Sequence, residues 1–409
     1  MGRSVCAMTD WLTAPTHRAW LQQETERLLA FGSAAPVAGQ GAAYLDARGV
    51  PDPTRPIETW VTCRMVHVYS LGHLMGVPGS RPLAIRAMSG LTGALHDERH
   101  GGWFHTSARD GGKQAYDHAF VVLAGSSATV AGLPGGRELL DNALAVLDER
   151  FWDEAHGMVA DAAEPDWSSV DPYRGINANM HTVEAMLAAA DATWDQRWLE
   201  RAERIASFAR HQAAVHDWRL PEHYDDTWQP QLEYNEAQPE DRFRPYGATI
   251  GHGLEWARLF LHLEAATNNT DGTWLDAAQH LYNRAVTDGW GRDGAEGFVY
   301  TTGWDGTPVT TDRLHWVAAE AIGAAAALFH RTGDKRYAAD YSRWWDHVAE
   351  HFLDPEHGSW HHQLDGGLRV ATSVWPGKPD IYHALQATLI PRLPLAPQMA
   401  MALAQRQLV

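Results

Sequence analysis

Pairs of apolar segments with a 3.6-residue period recur along the chain at intervals of roughly 60 residues, and this repetition constrains the architecture most. The pattern predicts helices over 15–31, 56–76, 80–95, 115–131, 136–150, 178–191, 195–213, 248–266, 272–288, 312–331, 335–352 and 380–391, with one more over 395–406. Short turns such as Gly76-Val77-Pro78-Gly79 and Thr332-Gly333-Asp334 join members of a pair. Between pairs comes an acidic turn, then glycine, then aromatic or apolar alternation. Residues 97–105, 153–159, 292–300 and 354–361 are four copies, each predicting a short hairpin.

A helix pair cannot bury its own apolar face, but six pairs can close on one another. The expected fold is therefore all-α, an (α/α)6 barrel with short β-hairpins in the loops between helix pairs. An open α-solenoid is the rival, disfavoured because no capping repeat is evident. No low-complexity linker divides the chain, so one domain over 1–409 is expected, with the order of residues 1–10 left open. The irregular segments 160–177 and 218–247 are long for loops and are expected to be lids or site walls.

In such a ring alternate helices form the inner wall and run in one direction. The even-numbered helices open on polar residues. They carry Arg64 and His67; Tyr116, Asp117 and His118; Asn177, Asn179, His181 and Glu184; His252 and Glu255; His315, Trp316 and Glu320; Asp380 and His383. The odd helices begin blandly. These polar groups should converge on one end of the barrel.

Two stretches stand out. Pro245-Tyr246-Gly247 turns into a helix with His252 between Gly251 and Gly253, and Glu255 follows on the same face. Trp375-Pro376-Gly377-Lys378-Pro379 turns into another with His383 in its first turns. Backbone N–H groups are unsatisfied there and the helix dipole is positive. An imidazole beside a carboxylate at such a mouth suits proton transfer. His67, His118 and His315 are read instead as structural hydrogen-bonding groups.

Other chemistries lack their patterns. There is no His-Glu-x-x-His, phosphate-binding Gly-x-x-x-x-Gly-Lys-Ser/Thr loop, dinucleotide Gly-x-Gly-x-x-Gly or Gly-x-Ser-x-Gly elbow. A net charge of −18 argues against nucleic acid and anionic membranes. Two cysteines, no apolar leader and no long apolar run point to a cytoplasmic protein. No cofactor and no metal are expected. Most of the 19 tryptophans should be packing residues, though an aromatic face can also stack on a sugar.

Gly-His-Gly-Leu-Glu-Trp at 251–256, Pro-Gly-Lys-Pro-Asp-Ile-Tyr-His-Ala-Leu-Gln at 376–386, Tyr-Asp-His-Ala-Phe at 116–120 and Asn-Met-His at 179–181 resemble the N-acylglucosamine 2-epimerase superfamily. The resemblance runs from about Trp11 to Leu393 and is greatest to the branch of mannose and sulfoquinovose isomerases. It implies the same (α/α)6 barrel, a monosaccharide substrate and a metal-free aldose–ketose isomerisation between D-mannose and D-fructose (or D-lyxose and D-xylulose) through a cis-enediolate. It places the catalytic pair on His252 and His383, and substrate-contacting or supporting roles on Arg64, Tyr116, His181, Glu255, Trp316 and Glu320. The alternatives are a sugar 2-epimerase, a sulfoquinovose isomerase and, more distantly, an inverting glycoside hydrolase using Glu255 and Glu320. A non-catalytic sugar binder is a further one. In the sulfoquinovose case Arg242, Arg244 or Lys378 would hold the sulfonate; otherwise they are surface charges. A monomer or homodimer is expected.

Overall fold

The computed structural model describes residues 10–409. Residues 1–9, and with them Cys6 and the question of order at the N-terminus, lie outside the described residues. Twelve helices follow the predicted series closely: α1 Pro15–Phe31, α2 Thr59–Leu74, α3 Ser80–Leu91, α4 Ala115–Val130, α5 Gly136–Val146, α6 Ile176–Thr193, α7 Arg197–Val215, α8 Ile250–Thr267, α9 Thr273–Gly289, α10 His315–Thr332, α11 Lys335–His351 and α12 Tyr382–Leu389. A thirteenth, α13, spans Met399–Ala404. The main differences are at ends. The segment after Leu91 turns at once into a hairpin, and α5 passes into a π-turn over Leu147–Phe151.

The even helices form the inner ring. Each packs on the next, and α12 returns to α2. The odd helices lie outside, α3 on α2, α5 on α4, α7 on α6, α9 on α8, α11 on α10 and α1 on α12. This explains two kinds of sequence pattern. Outer α11 buries one stripe, including Tyr337, Tyr341, Trp344, Trp345 and Val348. Inner α10 buries everything from Val317 to Leu328, so it reads as a nearly continuous apolar run.

The connections are unequal. Inner-to-outer turns are tight, at 75–79, 131–135, 194–196, 268–272 and 333–334. Outer-to-inner connections are long, at 32–58, 92–114, 152–175, 216–249, 290–314 and 352–381. They gather at the N-terminal end of the inner helices and wall the chamber there. At the other end α13 packs on α2, α4 and α6.

The four predicted hairpins form. Trp152–Asp153 pairs with Met158–Val159, and single bridges join His96 to Trp103, Trp290 to Phe298 and Leu353 to Trp360. In the turns Asp97, Asp153 and Asp354 each accept the backbone N–H two residues on. A cation from the strand or loop ahead of the next inner helix then pins some of these turns. Lys113 Nζ lies 2.7 Å from Asp97, and Arg313 Nη1 lies 2.6 Å from Asp293. Lys378 Nζ lies 2.6 Å from Asp354 and 2.7 Å from the Gly358 carbonyl. This corrects the expectation for Lys378: it is a buried structural ion, neither a surface charge nor a ligand for an anionic sugar.

Candidate active site

The chamber at the N-terminal end of the inner ring has a volume of about 600 Å³ including its mouth. Every inner helix contributes: Arg64 from α2, Tyr116 from α4, His181 from α6, His252 and Glu255 from α8, Trp316 from α10 and His383 from α12. Seven of the eight residues singled out in the sequence thus line one cavity. The eighth, Glu320, does not; it lies beneath the floor, under His383 and Arg258.

Both imidazoles are backed by carboxylates. His383 Nδ1 lies 3.0 Å from Glu320 Oε1. His252 Nδ1 lies 2.9 Å from both oxygens of Glu222. A carboxylate accepts, so each Nδ1 carries the proton and each Nε2 keeps its lone pair for the chamber. Arg64 Nη2, which can only donate, sits 3.4 Å from His383 Nε2 and agrees with that tautomer. Trp316 stands between the pair, its ring centroid 5.3 Å from that of His252 and 5.8 Å from that of His383. Gly251 makes room for it: a Cβ there would meet the indole at 2.2 Å.

Arg64 is held from all sides. Its guanidinium lies over the rings of Trp60, Phe120 and Tyr382 at 4.7–4.8 Å. It donates to Asp380 and Tyr116 Oη at 3.2 Å each. Burial opposes its charge, but Tyr116, Asp380 and Tyr382 outweigh burial and hold its pKa above the ordinary value.

Under the floor lies a buried charge network. Arg258 Nε donates to Glu320 at 2.9 Å, and its Nη2 lies 3.5 Å from Glu255. Burial and then the Glu320 charge push the Glu255 carboxyl well above its usual range. Burial acts on Glu320 too, but Arg258 and His383 outweigh it and hold Glu320 low. The two carboxyls are thus unequal, Glu255 pushed towards its protonated form and Glu320 towards its charged one. Glu184 accepts from Tyr382 Oη at 2.5 Å and from Gln386, and His181 Nδ1 lies 3.4 Å from it. Burial pulls the pKa of His181 down to about 4, so its ring is neutral. Burial likewise lowers the pKa of His383 from 6.5, Arg64 adds to that, and Glu320 opposes both.

His181, Glu184 and Glu255 bring donor atoms within 4.8 Å of one another. As a cation site the set fits poorly, because Glu184 is engaged by Tyr382 and Gln386, and Arg64 and Arg258 both act on Glu255.

Several functional-looking residues escaped sequence reasoning. Glu222 lies in the 216–249 connection, where no periodicity fixes a facing direction; the length of that segment was its sole signal. Asp380 was visible at the α12 start but unassigned. His315, read as structural, lines the chamber stacked on His362 at 3.7 Å. His67 and His118 stay outside it, bonded to Ser127 and the Gln114 carbonyl. Of the cations offered for a sulfonate, Arg244 pairs with Asp161 at 3.0 Å, and Arg242 alone lines the chamber, with its Nε and Nη2 unpartnered. The hydrolase alternative loses its pair, since Glu320 is committed to His383 and Arg258 below the floor.

A barrel whose inner ring brings two carboxylate-backed imidazoles and a buried guanidinium to one chamber is the scaffold of an acid–base enzyme acting on a small polar substrate. The N-acylglucosamine 2-epimerase (GlcNAc 2-epimerase) family model matches residues 41–387, and the chain belongs to that family. It is 51% identical over 404 residues to a D-mannose isomerase of Thermobifida fusca, covering 97% of this chain and 99% of the relative. To a D-mannose isomerase of Pseudomonas cannabina pv. alisalensis it is 45% identical, covering 97% of each. A solved D-mannose isomerase shares its fold with a TM-score of 0.84 at 27% identity, covering 92% of this chain and 98% of that one. Among the described residues no helix is long and apolar enough to cross a membrane.

Proposed function

We infer that the protein is a D-mannose isomerase, interconverting D-mannose and D-fructose by proton transfer through a cis-enediolate. The observation that carries the mechanism is the pair of imidazoles, each tautomer-fixed by its own carboxylate and each with its Nε2 turned to the chamber, that of His383 beside Arg64. His252 exchanges protons with the ring oxygen and the anomeric hydroxyl to open the pyranose, then with O1 and O2. His383 takes the proton from C2, giving the enediolate, and returns it to C1. Arg64, fixed by three aromatic rings and Asp380, stabilises the charge that develops on the enediolate oxygens. Tyr116, His181 and neutral Glu255 contact hydroxyls, Trp316 packs against the sugar between the two histidines, and Glu320 holds the His383 tautomer. The chain is taken as one domain, a reading supported by the closed ring. Two cysteines in 409 residues favour a reducing compartment, and we take the protein as a cytoplasmic monomer or homodimer.

The direct test is to incubate the purified protein with D-mannose and quantify the products. D-Fructose as the main product supports the isomerase; D-glucose as the main product replaces it with a 2-epimerase. Unpartnered Arg242 keeps a sulfonated aldose as a second reading. Preference for sulfoquinovose over mannose, lost in Arg242→Met, would establish it.

The unequal carboxyls give a paired prediction. Glu255→Gln preserves a neutral group and should cost less than ~10-fold in turnover, whereas Glu320→Gln removes the charge that orients His383 and should cost ~10²-fold or more. The base must be neutral, and its pKa lies below 6.5, so the acid limb of kcat/KM should fall below 6.5. Glu320 raises the pKa of His383, so Glu320→Gln should move that limb to lower pH. An unmoved limb would show that another group titrates.

A further inference from the structure

We propose that Glu296, His347 and His351 form a divalent transition-metal site outside the chamber, tying the 290–299 hairpin to α11. His347 is 2% exposed, yet neither ring nitrogen has a hydrogen-bond partner. A buried imidazole left so is unusual and points to a missing partner. His351 lies one helical turn on, its ring centroid 4.8 Å from that of His347. Histidines four apart on one helical face are a known way to present two nitrogens to one ion. Exposed Glu296 approaches from the hairpin tip, and one donor atom from each of the three lies within 4.8 Å of the others. Gly297, at φ +95°, allows the approach: a Cβ there would sit 2.7 Å from His347 Nε2.

Groups of both signs surround the three donors. Arg313 is bound bidentately by Asp293, Arg343 stacks on Trp290 at 4.7 Å and keeps its charge, and the Glu296 carboxylate brings negative charge to the set. Two imidazoles and a carboxylate select zinc, cobalt or nickel over calcium or magnesium, which favour oxygen ligands. Metal bonds of about 2.0–2.2 Å need the donors drawn closer together, which the surface side chains of His351 and Glu296 can do. A water completes a tetrahedron on the open side. None of the three residues lines the chamber, so the ion acts as a cross-link between hairpin and helix.

The test uses the full chain, stripped with EDTA and dialysed, titrated with zinc chloride by calorimetry and followed by thermal unfolding. His351→Ala changes a half-buried side chain at the end of α11 and Glu296→Gln an exposed one, so both should fold. Each should weaken one zinc site at least ~10-fold and abolish the zinc-dependent rise in Tm, with D-mannose turnover unchanged. Zinc-soaked crystals should show an anomalous peak among the three residues. The 23 histidines give zinc other places to bind. If both variants keep wild-type affinity, stoichiometry and Tm shift, or the anomalous peaks lie only at other histidines, the site does not exist.

Discussion

Replacing His383 with alanine is expected to lower D-mannose turnover at least ~10²-fold, with the circular dichroism spectrum unchanged. The ring is buried, donates through Nδ1 to Glu320 and meets Arg64 at Nε2, so on the proposed mechanism its removal takes away the base for the C2 proton. A second measurement separates this from simple misfolding. In D₂O the wild type should place deuterium in recovered mannose, whereas His383→Ala should leave C2 unlabelled even after long incubation. His252→Ala should be comparably slow, but its deficit should shrink with an aldose too short to close into any ring, because ring opening is no longer required. A folded His383 variant with most of its activity, or with undiminished labelling, would remove His383 from the mechanism.

The second large effect is at Arg64. Arg64→Met should cost ~10²–10³-fold in kcat, the usual worth of a preorganised charge at a developing oxyanion. It should also destabilise the protein by roughly 3–5 kcal/mol, because Asp380 is left buried and unpaired. Removing both charges separates the two effects. The double variant Arg64→Met/Asp380→Asn should recover most of the stability in urea unfolding while its kcat stays low. Recovery of rate together with stability would show that Arg64 serves only to neutralise Asp380.

Much of this was legible in the chain because a closed ring leaves a regular trace. Outer helices such as α11 show their stripe, and the turns between pair members announce themselves with glycine and proline. The chamber was legible through direction: six inner helices share a polarity, so polar residues at their starts must meet. What stayed hidden was the arrangement between elements. Glu255 shares a helix face with His252, and sequence spacing makes it the natural partner. The structure gives His252 to Glu222 and places Glu255 beside Arg258 and His181. Glu320, given a substrate-contacting or supporting role, takes the supporting one: unlike Arg64, His181 and Glu255 at the same position in their helices, it is covered by His383 and tied to Arg258. Lys378 looked like surface charge beside a Pro/Gly turn, and only the returning hairpin at 354–358 shows that it is enclosed.

The two imidazoles proposed as catalysts are held from different sources. Glu320 belongs to the ring itself, so His383 is ready whenever the barrel is folded. Glu222 belongs to the 216–249 connection, which also supplies Arg242, Phe243 and Pro245 to the chamber wall. The segment that forms one wall of the chamber is therefore also the one that orients His252. On the proposed mechanism, a substitution that reshapes this wall for a new sugar also disturbs the orientation of His252, so selectivity and competence in this scaffold must evolve together.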